Sequence, residues 1–153
     1  MMAVSIRPAV QADLPTLLCM AESFVRESGH GFTFDPAAAA KSLRALLGFG
    51  RARLVVAVAG GEVQGGFALQ YERSFTVETW GYLQLFYVRA GARGTMAGRR
   101  LAAAVVAEAE QAGVSRLFAS ATGGLSRTAT GHFINLMGKV GFETAGPVLM
   151  RRM

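Results

Sequence analysis

Residues 88–101 read VRAGARGTMAGRRL, a glycine-studded, arginine-flanked turn entered from an apolar strand, Leu83 to Val88, and left by an alanine-rich helix. A strand-to-helix join of this kind gathers free main-chain N–H groups and the positive end of the helix dipole at one point, where they attract an anion. Glycines at 91, 94 and 98 let the backbone turn tightly and come close to a ligand. No Asp or Glu occurs from Thr79 through Ala107, whereas Arg89, Arg93, Arg99 and Arg100 all do. Helix starts ordinarily favour acidic side chains, so two arginines here imply an anionic partner, and the ligand is expected to carry phosphates. An ordinary strand-to-helix turn, with glycines that only relieve strain, is the alternative reading of the loop taken alone.

The stretch matches neither common nucleotide fingerprint. A P-loop requires Lys and then Ser or Thr after its last glycine, but Gly98 is followed by Arg99 and Arg100, and G-x-G-x-x-G is absent. The segment does resemble the acetyl-CoA loop of the GNAT N-acetyltransferase superfamily, in which Arg or Gln, two residues, Gly, one residue, and Gly or Ala join a strand to a long helix. Arg93, Gly94, Ala97, Gly98 and Leu101 fall into register with the family's RGxGxGxxL, and Met96 stands where its first signature glycine sits.

Outward from the loop, apolar periodicity orders the chain. Ser5 to Arg7 reads as a short strand. Asp13 is expected to cap a helix with Leu14, Leu17, Leu18, Ala21, Phe24 and Val25 on one face, and Asp35-Pro36 to open a second helix that Gly48 ends. Arg53 to Ala59 and Glu62 to Tyr71, joined by Gly60-Gly61, form a hairpin, and Trp80 to Val88 is the next strand. A helix from Met96 to Ala112, a strand from Arg116 to Ala121, a helix from Ala129 to Lys139, and terminal strands over Phe142 to Ala145 and Val148 to Arg152 complete the series. Glu108 interrupts the stripe of Leu101, Ala104, Val105 and Ala112. The expected class is an α/β (α+β) sandwich, a mixed, mostly antiparallel twisted sheet flanked by about four helices, which agrees with the GNAT architecture.

At 153 residues, 52% of them hydrophobic, the chain suits one domain over 1–153, with no polar linker dividing it. Its apolar runs are too short to span a membrane, no signal-peptide core opens it, and the lone Cys19 excludes an internal disulfide, so a cytoplasmic protein is expected. The net charge is +6, with fourteen of sixteen cations Arg, but they are scattered outside the loop and accompany no nucleic-acid-binding signature. No metal-ligand spacing occurs. An apolar edge such as Val148 to Met150 could pair with a second subunit and form a homodimer.

The resemblance implies transfer of acetyl from acetyl-CoA, the co-substrate, to an amine of a small molecule or protein by direct attack on the thioester. It places main-chain N–H groups of Arg93, Gly94, Thr95, Met96, Ala97 and Gly98 on the pyrophosphate, with Arg99 beside them. It also gives the carbonyl-polarising N–H to the end of the preceding strand, at Tyr87 or Val88. Phe133 is expected against the pantetheine arm. The usual tyrosine acid, five residues before the Phe of Gly141-Phe142, is replaced by Met137, a thioether that donates no proton. The usual carboxylate base falls near Tyr82, which alternation places on one face with Gln84; both also read as ordinary sheet residues. His132 is a candidate acid or base, and Glu72 and Glu78 could act through water. His30 borders the expected acceptor pocket, whose walls are the first two helices and the Glu72 to Thr79 loop. With no evident acid or base, an acetyl-CoA-binding sensor is the second reading, and a basic nucleic-acid-binding domain the third.

Overall fold

The computed structural model describes residues 2–48, 50–73, 75–120 and 127–146, with only the backbone described for 127–129. Strands β1 (Val4–Pro8), β2 (Ala52–Ala59), β3 (Glu62–Glu72), β4 (Trp80–Val88) and β5 (Arg116–Ala119) form one sheet in the order β1-β2-β3-β4-β5. The first three pairings are antiparallel and the last, β4 with β5, is parallel. Helices α1 (Leu14–Ser28) and α2 (Pro36–Gly48) precede β2, α3 (Met96–Gln111) joins β4 to β5, and α4 (Arg127–Gly138) follows β5. The mixed, mostly antiparallel sheet with four helices agrees with the sequence reading.

Two apolar layers hold the sheet. On one face Val55, Ala57, Phe67, Leu69 and Leu83 pack against Leu101, Ala102 and Val105 of α3, with Met137 of α4 buried beside them. On the other, Leu54, Val56 and Ala68 meet Leu14, Leu17 and Met20 of α1 and Leu43 and Leu46 of α2. The interior of β3 carries Gly65 because the β4 backbone and, above it, α3 come close there. A Cβ would lie 2.6 Å from Tyr87 O and 3.0 Å from Leu101 Cδ1. Gly60 and Gly61 turn the β2–β3 hairpin with φ of 58° and 79°, values that L side chains resist.

Several boundaries differ from expectation for visible reasons. Asp13 does not cap α1 with its side chain. Its buried carboxylate instead takes both Arg7 guanidinium nitrogens, at 2.7 and 2.9 Å, and the Val10 N–H at 2.8 Å, and so ties β1 to the entry of α1. Asp35 does cap α2, accepting from the Ala37 and Ala38 N–H groups at 3.0 and 3.1 Å. Residues Phe142 to Ala145 are not a strand. The Phe142 N–H folds back onto Met137 O at 3.1 Å through a turn with Gly141 at φ 97°, which returns the ring to the core edge. Strand β5 stops at Ala119; Ala121 and the expected strand Val148 to Arg152, with its possible subunit contact, lie outside the described residues. Glu108 is accommodated in its apolar stripe by Arg53, 3.6 Å away, while its carbonyl accepts from Tyr71 Oη at 3.4 Å. Among the described residues no helix is long and apolar enough to cross a membrane.

Candidate functional site

The site follows from how β4 leaves its neighbours. Strand β5 pairs with β4 only from Trp80 to Leu83, so the side of β4 from Gln84 to Val88 has no β5 partner. On the other side, Leu83 opposes Leu69 and Leu85 opposes Ala68, which leaves Gln84 as the extra residue of a β-bulge. The bulge shifts the alternation beyond Gln84: Leu83 and then, out of phase with it, Phe86 and Val88 join the α3 layer. It also fixes where main-chain polar groups point. The Arg89 N–H donates to Gln64 O at 2.9 Å, so the groups of Val88 turn away from β3, toward the gap left by β5. The Val88 carbonyl accordingly accepts from Arg93 Nε at 3.0 Å.

The loop after Val88 is a 3-10 turn, Ala90–Ala92, followed by Arg93 and Gly94, with Thr95 as the N-cap of α3. Gly94 has φ 80°, and it carries the loop's positive φ. Met96 opens α3 with ordinary helical geometry, so the methionine at the signature-glycine position costs no backbone strain. The first four N–H groups of a helix lack intrahelical acceptors. Of these, Thr95 N donates to Ala92 O at 3.2 Å and Ala97 N to Thr95 Oγ1 at 3.2 Å, which leaves those of Met96 and Gly98. The Arg93 N–H also turns inward, to Ala90 O at 3.4 Å. The expected continuous row of donors from Arg93 to Gly98 thus narrows, with Gly98 in a space bounded by Leu136 and Val88.

The loop cations are largely engaged. Arg89 donates to Val63 O at 3.3 Å and lies 3.8 Å from Glu62, and Arg100 donates to Val4 O. Arg93 is paired with Glu27 near the end of α1 and lies over the Tyr87 ring, 5.4 Å from its centroid. Tyr87 Oη donates to the other Glu27 oxygen at 2.8 Å. Among the four, Arg99 alone is without such a partner in the described residues. Partial burial opposes charge on Glu27, but hydrogen bonds from Arg93 and Tyr87 outweigh it and hold its carboxyl below the ordinary range. Burial, then the hydrogen bond to Glu27, push the Tyr87 phenol up, so it stays a neutral donor. Sequence reasoning missed Glu27, whose partner lies 66 residues away and which matches no local motif.

Two cavities meet on β4. A narrow one of about 190 Å³ occupies the gap, between Gln84, Phe86, Ser120, Phe24 of α1 and Phe133 of α4. Phe133 and Phe86 stack edge to face at 5.6 Å. A wider one of about 1260 Å³ opens over the N-terminal halves of β4 and β5, with Thr76, Glu78 and Thr79 of the expected loop in its wall. Neither α1 nor α2 lines the wide cavity; Phe24 lines the narrow one. Among the described residues Tyr82 is common to both. Met137 is buried at 3% exposure in the α3 layer. His132 is exposed and lines neither cavity, and His30 is exposed beside Phe32. Among the described residues no cluster of His, Cys, Asp or Glu could hold a metal ion.

Residues 20–142 match the Acetyltransferase (GNAT) family. The fold is similar to that of an integron cassette protein from the mobile metagenome of Cole Harbour Salt Marsh (25% identity, 97% of this chain and 89% of that one, TM-score 0.78). It is also similar to a predicted acetyltransferase with acetyl-CoA from Clostridium acetobutylicum (14% identity, 98% and 96%, TM-score 0.76). An aminoglycoside N-acetyltransferase in complex with CoA is a third such structure (16% identity, 100% and 96%, TM-score 0.79). No curated protein sequence matches the chain.

Proposed function

The chain belongs to the acetyltransferase (GNAT) family, and from that premise we propose that it transfers acetyl from acetyl-CoA to the amine of a small molecule in the cytoplasm. The observation that carries the reading is the free polar edge of β4, ending at Val88, which runs directly into a helix start with open N–H groups. Met96 and Gly98 donate main-chain N–H groups to the pyrophosphate, and Arg99 supplies the unengaged charge. Gly94, Thr95 and Ala97 shape this cradle. The pantetheine arm lies in the narrow cavity against Phe133, and Tyr87 and Met137 support its walls from opposite layers of the sheet.

The Val88 N–H, aimed into the gap, donates to the thioester oxygen and stabilises the charge that develops there. The neutral amine attacks the carbonyl carbon; the C–N bond forms, the C–S bond breaks, and CoA leaves as a thiolate. A thiol with a pKa near about 8.5 leaves without prior protonation at modest cost. The amine proton passes to water at the mouth of the cleft, beside Tyr82. Solvent or the exposed His132 returns a proton to sulfur, because Met137 has none to give.

Small-molecule amines are favoured as acceptors because the wide cavity is concave and meets the narrow one at Tyr82. The neighbour that is an aminoglycoside N-acetyltransferase is consistent with such a substrate. Release of CoA thiol, followed together with the mass of the acetylated product across an amine panel, tests the reading. An acetylated amine whose formation requires acetyl-CoA is the expected result; acetyl-CoA binding with no transfer to any amine would replace the enzyme with a sensor.

A further inference from the structure

The floor of the wide cavity reads as two rows across the sheet. Strand register sets Glu72, Trp80 and Arg116 side by side in the outer row, and Gln70, Tyr82 and Phe118 in the inner row next to the narrow cavity. The rows stand about 7 Å apart, two residues of strand rise. Trp80 and Phe118 meet edge to face at 5.9 Å, and Phe118 and Tyr82 are 44% and 37% exposed, so the floor is an open aromatic surface. The inner row carries no charge. The outer end carries both signs, with Arg51 and Glu78 beside Glu72 and Arg116, two cations against two anions among the described residues. Arg51, Glu78 and Arg116 are in no ion pair among the described residues.

We propose that this cavity is the acceptor chamber and that it takes a single primary amine carried on an aromatic or flat apolar body, not a polycation. The inference rests on the acetyl-transfer reading above and names its substrate class. A flat body stacks on Trp80, Tyr82 and Phe118, which brings its amine to the uncharged inner row, where an apolar surround favours the neutral, nucleophilic form. The balanced charges of the outer row receive a polar or zwitterionic tail. A polycationic acceptor would need a surplus of carboxylates, and the described residues of the chamber have none to spare in a protein of net charge +6.

Trp80 is the only tryptophan of the chain, so its fluorescence reports occupancy of the chamber whether or not acetyl is transferred. Phenethylamine is expected to change Trp80 emission saturably, with spermidine and kanamycin causing no saturable change at the same concentrations. Phe118→Ala and Phe118→Leu should each raise the half-saturation concentration about threefold to tenfold, the loss expected of one stacked ring. Half-saturation by spermidine or kanamycin below that of phenethylamine, silence of Trp80 toward every amine, or wild-type titration of both Phe118 variants would overturn the proposal. A parallel acetylation assay separates the two readings. Phenethylamine seen by Trp80 but never acetylated would refute the transferase reading and leave the chamber's ligand class standing, while acetylation of kanamycin in preference to phenethylamine would do the reverse.

Discussion

Arg93 donates one guanidinium nitrogen to Glu27 and another to the carbonyl of Val88, the residue whose N–H faces the gap between β4 and β5. The arginine side chain that opens the loop pattern is therefore a strut between α1, the loop after β4 and the end of β4. Replacing Arg93 by Ala is expected to weaken acetyl-CoA binding by less than about tenfold, or about 1.4 kcal/mol, since the main-chain donors remain. Calorimetry on Arg93→Ala, Glu27→Gln and the double variant should give non-additive changes. A loss beyond about a hundredfold in Arg93→Ala alone, about 2.8 kcal/mol, would place the guanidinium on phosphate instead.

Gly98 separates volume from charge. A Cβ there would lie 3.7 Å from Leu136 and 3.8 Å from Val88, ordinary contact distances. Gly98→Ala should therefore fold and keep most of its acetyl-CoA affinity, whereas Gly98→Glu should fold and lose it, because a carboxylate then meets the pyrophosphate at the helix N-terminus. Gly94→Asp adds left-handed backbone strain of about 1–2 kcal/mol to the same repulsion. Circular dichroism and calorimetry on the three variants check the ordering.

Met137 occupies the tyrosine position of the family pattern, yet its side chain is enclosed with Leu101 and Val105. Met137→Tyr forces a larger, polar group into that layer and should lower stability by about 1–3 kcal/mol, without raising kcat. Met137→Leu should stay within about 1.5 kcal/mol of the wild type. Thermal melts and turnover of the same preparations test this. A faster, equally stable Met137→Tyr would show that the phenol reaches the leaving sulfur.

The Arg7 hydrogen bonds hold the Asp13 carboxyl below the ordinary carboxylate range. Its stabilising effect is thus present above the unfolded pKa, near about 3.9, and is lost as pH falls through the lower folded value. Asp13→Asn should cost about 1–2 kcal/mol at neutral pH, since charged hydrogen bonds are lost. The gap between wild type and variant should close in acid. Melting curves at neutral pH and near pH 3 measure it.

Much of this was legible because it was local. The Gly60-Gly61 hairpin, the Asp35 cap and the run from Leu83 through the loop into α3 each follow from residues within a few positions of one another. The rest depends on partners far along the chain. Nothing near Glu27 announces Arg93, and the bulge at Gln84 arises from how β3 and β4 pair. The residues from Phe142 read as a strand on side-chain pattern alone, and the turn at Gly141 overrode it. The placement of Trp80, Tyr82 and Phe118 in one cavity needed the parallel register of β4 and β5.

The most direct test is titration of the wild type and Gly98→Glu with acetyl-CoA, by calorimetry and thermal melt together. One molecule of acetyl-CoA should bind the wild type, and at a hundredfold excess over Kd the stabilisation should approach about 2.7 kcal/mol, a rise in Tm of about 5–10 °C for a chain of this size. Gly98→Glu should show neither heat nor shift while keeping its fold. No heat and no shift in the wild type at millimolar acetyl-CoA, or an unchanged affinity in Gly98→Glu, would contradict the account.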